Sequence, residues 1–203
     1  MTTPTLQATI YPLFAKPLYS TNIDISELSL DISNIEWIEN NPNMTSKNTH
    51  VLDLPEFYKI KEMINFLVDD YFYNVMCVDK NVEIYITESW LTKTLKGQYH
   101  IRHWHPNSVL SGVLYIQSEG NTGNCRFAYI HDTNFEFNMT EQNIYNARGH
   151  SVAPQCGKVI LFPSSLEHSV DTYEGEIPRI SLSFNTFVKG HICDTRLSSL
   201  TVN

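Results

Sequence analysis

The chain has 203 residues, 42% of them hydrophobic, and a formal charge of −8 at neutral pH. That length suits a single domain around one core. Fourteen basic residues against twenty-two acidic ones do not supply the basic face that binding a phosphate backbone requires, so nucleic acid is not expected as a partner. Cys77, Cys125, Cys156 and Cys193 are widely spaced and form no CxxC pair, which indicates reduced thiols rather than a zinc knuckle or a disulfide framework. No apolar run approaches the roughly eighteen residues needed to cross a bilayer, and the N-terminus lacks an export signal, so a cytoplasmic protein away from membranes is expected.

From Leu6 to Tyr19 apolar residues mix with Pro12 and Pro17, which suits a short edge strand, and Asn40 to Asn48 reads as polar loop. Phe57, Ile60, Ile64, Leu67 and Tyr71 then recur at three- and four-residue steps, with Asp53 as candidate cap, Pro55 in the first turn and Glu56 near the positive end. The spacing predicts an amphipathic helix packed on something flat. After Asn81 the period falls to two, with Val82, Ile84 and Ile86 alternating against Glu83, Tyr85 and Thr87. Strand candidates follow at 82–92, 98–105, 109–117, 125–131, 134–139, 151–155, 158–162, 167–173 and 179–188. The pattern predicts an α+β, mainly β protein: a supporting strand and helix over about 1–80, then an antiparallel sandwich or barrel over about 82–188.

The run His103-Trp104-His105-Pro106-Asn107 carries the chemistry. Residues i and i+2 of a strand share a face, so His103 and His105 would present adjacent imidazoles, and Pro106 would end the strand just beyond them. Taken alone, two such histidines are more often surface or core residues without a role than metal ligands, and the later residues shift that balance. The strand Lys158-Val159-Ile160-Leu161-Phe162 then turns at Pro163-Ser164-Ser165 and delivers His168 at the start of another. In Arg179-Ile180-Ser181-Leu182-Ser183-Phe184-Asn185, the polar residues fall on one face and the apolar ones on the other. An inward guanidinium needs an anion, and a ligand carboxylate offers two parallel hydrogen bonds.

The order of these parts resembles the iron(II)- and 2-oxoglutarate-dependent oxygenases of the double-stranded β-helix (jelly-roll) fold, prolyl hydroxylases among them. The wording from Trp90 in "ESW", through "HWHPNS", "LSGVLY" and "FPSS", to His168 and "RISLSFN" is closest to a branch common in phages and marine bacteria. The resemblance implies His103 and His168 as iron ligands and Arg179 as the base for the C5 carboxylate of 2-oxoglutarate. Tyr115 and Ser181 would add hydrogen bonds to that carboxylate, and Ser111, on Tyr115's face, would line the pocket. It further implies O2 as co-reactant and hydroxylation of a substrate whose identity is unknown. The acidic balance favours a protein side chain or a small molecule over DNA, and a homo-oligomer is compatible with everything in the sequence.

Position 105 departs from the family, which usually has Asp or Glu there. A carboxylate neutralises one charge of Fe(II), whereas three imidazoles leave it dicationic. The favoured set is His103, His105 and His168. The alternatives are a carboxylate supplied by Asp132 or Asp171, or a site that no longer oxygenates. Two readings therefore stand beside the oxygenase: a non-catalytic jelly-roll phage or structural protein, and a cupin-type three-histidine dioxygenase without 2-oxoglutarate, which gives no role to Arg179. Of the other residues, His100 reads as a flanking or surface residue, His131-Asp132 as a turn, His150 and His191 as solvated loop positions, Trp104 as core, and 118–124 and 140–150 as the entrance.

Overall fold

In the computed structural model all residues are described except 1–8, 27, 29, 121, 129–137 and 194–197. The strands are β1 (Tyr19–Asn22), β2 (Trp37–Asn40), β3 (Asn43–Ser46), β4 (Val82–Thr94), β5 (His100–His103), β6 (Leu110–Gln117), β7 (Cys125–Ala128), β8 (Gly149–Val152), β9 (Lys158–Pro163), β10 (His168–Val170), β11 (Arg179–His191) and β12 (Thr201–Val202). They form two antiparallel sheets. The larger runs β1-β9-β6-β11-β4-β3-β2, with β12 added on β11, and the smaller runs β5-β10-β7-β8. This is the double-stranded β-helix.

The helix α1 (Tyr58–Asp69) forms where the apolar stripe requires it, burying Ile60, Ile64, Leu67 and Val68. Short helical turns at Val51–Asp53 and Pro55–Phe57 lead into it, and the wider coil Asp70–Val75 continues it, so that Tyr71 and Phe72 stay buried. The stripe packs on Leu91, Leu114, Leu161, Ile180, Leu182 and Phe184, the apolar side of the larger sheet. Close approach there depends on Gly112, where an added Cβ would lie 2.2 Å from Cζ of Phe184. Because side chains alternate along a strand, the opposite side of β11 carries Arg179, Ser181, Ser183 and Asn185 toward the space between the sheets. Arg179, Ser181 and Asn185 are all buried.

Several local expectations are corrected. Among the described residues the edge strand starts only at Tyr19, two residues after Pro17, where pairing with β9 begins. The polar stretch 40–48 contains the turn of a hairpin, β2 to β3, because Asn43 and Ser46 bury side chains that bond to other parts of the chain. Asp53 does not cap the helix; its carboxylate takes Lys61 Nζ at 2.6 Å. Strand β5 ends at His103 rather than 105. The expected strands 125–131 and 134–139 extend into residues outside the description, as do His131 and Asp132. Trp104 is 57% exposed rather than core. His150 and His191 are exposed, yet they lie in β8 and at the end of β11 rather than in loops. None of the four cysteines is joined in a disulfide. No helix among the described residues is long and apolar enough to cross a membrane.

Candidate metal centre and carboxylate pocket

His103 closes β5 and His168 opens β10, and the two are direct partners in the antiparallel register. Cross-strand pairing brings their rings to 4.3 Å. His105 reaches the same place by a different route. The chain leaves β5, and the His105 amide donates to the Ser164 carbonyl at 3.0 Å, which pins the segment to the turn after β9. The His105 ring then lies parallel to His168, 2° between planes, with the two Nε2 atoms 3.4 Å apart. Trp90 also stacks on His105, with centroids 6.0 Å apart. One nitrogen from each of the three rings falls within 4.8 Å of the others, the one such group of metal-ligating side chains among the described residues.

The ring protons are fixed from behind. Nδ1 of His103 faces the Ile101 carbonyl at 2.9 Å and Nδ1 of His168 faces the Leu166 carbonyl at 3.0 Å. A carbonyl only accepts, so both Nδ1 atoms carry protons and both Nε2 lone pairs point inward. Burial lowers the pKa of His168 to about 3, and burial together with the nearby His103 and His100 lowers that of His105 to about 4. Both rings are neutral at pH 7, the state a metal needs. Two nitrogens sharing one metal at about 2.1 Å lie roughly 3.0–3.4 Å apart, which the His105–His168 pair already satisfies.

His100 is close to His103, at 4.5 Å between centroids, but stands outside the group. Its Nδ1 is 3.0 Å from the buried Asn43 amide, which accounts for its orientation. Of the carboxylates considered from the sequence, Asp171 is held by Arg126 Nε at 2.6 and 2.7 Å, and Asp132 lies outside the described residues.

At the far end of the same face of β11, the Arg179 guanidinium is 3% exposed. It donates to the Gly123 carbonyl at 2.7 Å and to Thr94 Oγ1 at 3.0 Å, and it lies over the Tyr173 ring at 5.5 Å. Its Nε is buried without a partner, and no carboxylate among the described residues pairs with it. Burial presses its pKa down. Gly123 sits at φ +67° and would put a Cβ 2.6 Å from the guanidinium, so both its backbone and its missing side chain suit that contact. Tyr115 is buried beside Ser181 in the β6–β11 register, and burial pushes the pKa of its phenol up, so that it stays protonated. Ser111 shares their face, yet it pairs with Asn185 in the register and its hydroxyl bonds Ser164 Oγ at 2.8 Å and Asn185 Oδ1 at 2.7 Å. It therefore props the metal end rather than the guanidinium. Glu88, Thr94, Gly123 and Asn185 were not singled out from the sequence. The signal for Thr94 and Glu88 was the even spacing through Trp90, and that for Asn185 was its place on the Arg179 face.

The fold and site together define a β-helix with a metal-ligand cluster at one end and an anion-seeking arginine at the other. Residues 88–185 match the family model described as "Putative 2OG-Fe(II) oxygenase". Among solved structures, an oxidoreductase of the 2OG-Fe(II) oxygenase family from Burkholderia pseudomallei superposes with a TM-score of 0.54 at 15% identity, covering 76% of this chain and 72% of that one. The non-heme alpha-ketoglutarate-dependent epimerase SnoN from nogalamycin biosynthesis gives 0.51 at 12% identity, over 75% of this chain and 67% of its own. No curated protein matches the sequence.

Proposed function

We propose that the protein is an Fe(II)- and 2-oxoglutarate-dependent oxygenase in which His103, His105 and His168 hold the metal through Nε2. Arg179 grips the distal carboxylate of 2-oxoglutarate, with Tyr115 and Ser181 beside it. The observation that carries this reading is the buried guanidinium with an unmatched Nε on the sheet face that also leads to the three imidazoles. A charge so buried is costly without an anion, and a dicarboxylate that also chelates a metal meets both needs.

Bound there, iron and 2-oxoglutarate supply the oxidising chemistry for hydroxylating a substrate C–H bond. The protein's own contribution is placement. The carbonyls of Ile101 and Leu166 keep Nδ1 protonated on two ligands, so their Nε2 lone pairs are ready without reorganisation. Thr94 and the Gly123 carbonyl fix the position of the planar guanidinium and leave Nε free for the ligand. Phe127 and Phe162 pack on His168 and keep water from its buried side. On its motif residues the chain fits the phage and marine-bacterial branch, as a single cytoplasmic domain acting on a protein side chain or a small molecule.

Calorimetric titration of the manganese-loaded protein with 2-oxoglutarate tests the reading. Saturable binding that requires the metal is expected. Metal binding without any 2-oxoglutarate binding would favour a three-histidine dioxygenase that needs no cosubstrate.

A further inference from the structure

His100 lies beside the metal ligands but is held from behind by the opposite kind of group. Nδ1 of His103 and of His168 faces a main-chain carbonyl, which leaves Nε2 bare. Nδ1 of His100 faces Asn43 Nδ2 at 3.0 Å, and the same amide nitrogen points at the Tyr99 carbonyl at 3.5 Å. A carbonyl only accepts, so the amide presents N–H to both, Nδ1 of His100 is an acceptor, and the ring proton is on Nε2. That N–H leaves the ring on the side away from Asn43 and meets no hydrogen-bond partner among the described residues. The register places the ring. Val170 pairs with His100 on one side and Cys125 on the other, one step along from the row His103, His168 and Phe127. Over that step β10 advances two residues and β5 three, so a bulge returns His100 to the face that carries His103, with centroids 4.5 Å apart. The next step in the same direction is Tyr173, whose amide donates to the Gln98 carbonyl and whose ring lies under Arg179. His100 therefore stands between the metal end and the guanidinium end of the space between the sheets.

We infer that His100 is a cosubstrate-binding residue whose Nε2–H donates to the metal-chelating carboxylate of 2-oxoglutarate. A molecule that joins the three Nε2 atoms to Arg179 runs past this step of the sheet, and its chelating carboxylate keeps one oxygen off the metal. An N–H facing an anionic oxygen makes a charge-assisted bond, about twice as strong as a neutral one. The same proton bars the ring from the ligand set, because a ligating nitrogen must be bare. Two rings backed by carbonyls offer lone pairs, and the one backed by an amide offers a proton.

This inference rests on the proposed 2-oxoglutarate site, and the experiment separates their failures. The whole protein, loaded with Mn(II), is titrated calorimetrically with 2-oxoglutarate and with oxalate, which has a chelating end and no distal carboxylate. His100→Phe, which keeps a ring and removes the donor, is expected to leave Mn(II) affinity unchanged and to weaken both ligands about tenfold. His100→Gln, whose amide N–H reaches a similar point, is expected to bind both within about threefold of wild type. Arg179→Met is expected to weaken 2-oxoglutarate alone. In 15N-histidine-labelled, Zn(II)-loaded protein the His100 ring, identified by the signal missing from His100→Phe, is expected as the Nε2–H form, its proton moving downfield when 2-oxoglutarate is added. Unchanged affinities in His100→Phe, a loss confined to 2-oxoglutarate, or an Nδ1–H ring overturns the role of His100 and leaves the oxygenase reading standing. Loss of Mn(II) in His100→Phe makes it a metal ligand and overturns the role as well. Failure of the metal-loaded wild type to bind 2-oxoglutarate overturns both.

Discussion

Arg179 is the residue on which the cosubstrate reading turns. Its Nη atoms are placed by Gly123 and Thr94, so Arg179→Met should leave the fold and metal binding intact and weaken 2-oxoglutarate binding by about 2–4 kcal/mol, the usual cost of removing one partner of a desolvated charge pair. Tyr115→Phe deletes one hydroxyl and should cost about 1 kcal/mol in the same titration. Equal 2-oxoglutarate affinity in Arg179→Met and wild type would end the assignment. The histidines are separable in the same way. His103→Ala or His168→Ala should abolish Fe(II) binding, whereas His100→Ala should retain it, since His100 lies outside the three-nitrogen group. Loss of metal in His100→Ala alone would move the site.

At the scale of elements, the long periodic segments were the legible ones. The stripe from Phe57 to Tyr71 and the alternation from Val82 and from Arg179 were decided by burial on a face, and burial is written into residue order. Short strands were less readable. The hairpin at Trp37–Ser46 is polar because its buried Asn43 and Ser46 are satisfied by groups distant in sequence, which no local window reveals. His105 illustrates the same limit within the site. Its residue type and spacing were visible, but it joins His103 by a loop pinned to Ser164, not by sharing a strand face. The Glu88–Asn185 pair likewise depends on a register between strands 97 residues apart in sequence. Helix α1 packs on the side of the larger sheet remote from the site. Ile64→Ala should therefore cost about 2–5 kcal/mol in chemical denaturation with metal affinity unchanged. A parallel loss of metal binding would show the helix to be part of the site.

For the molecule as a whole, the buried histidines set a pH dependence. His100 and His105 have pKa values lowered to about 4 and His168 to about 3, against roughly 6.5 in an unfolded chain. Between those values the unfolded state binds more protons than the folded one, so stability rises with pH and falls as pH drops from about 6.5 toward 4. The melting temperature of the metal-free protein should decline already between pH 6.5 and 5, before most carboxylates protonate. A flat profile there would mean that these rings are not held neutral by burial. Saturating Mn(II) should raise the melting temperature throughout without changing the slope between pH 6.5 and about 4, where the folded-state rings are already deprotonated, and should carry the decline on below pH 4, where metal and protons compete for the same nitrogens.

The smaller sheet gives this architecture an uneven internal durability. Strands β5 and β10 have four and three residues, and their pairing is interrupted by a register shift between His168 and Val170. Strands this short hold together only through what is attached to them. Two of the three imidazoles belong to them and the third is anchored on the turn after β9, so a bound ion would rivet three separate backbone segments at one point. Backbone amides from His100 to His105 and from His168 to Val170 should then exchange with deuterium far faster than those of β11 in the metal-free protein, and slow selectively on metal loading while the larger sheet changes little. Iron loss would thus be felt as local fraying of one wall, with the rest of the β-helix still closed around its helix-backed core.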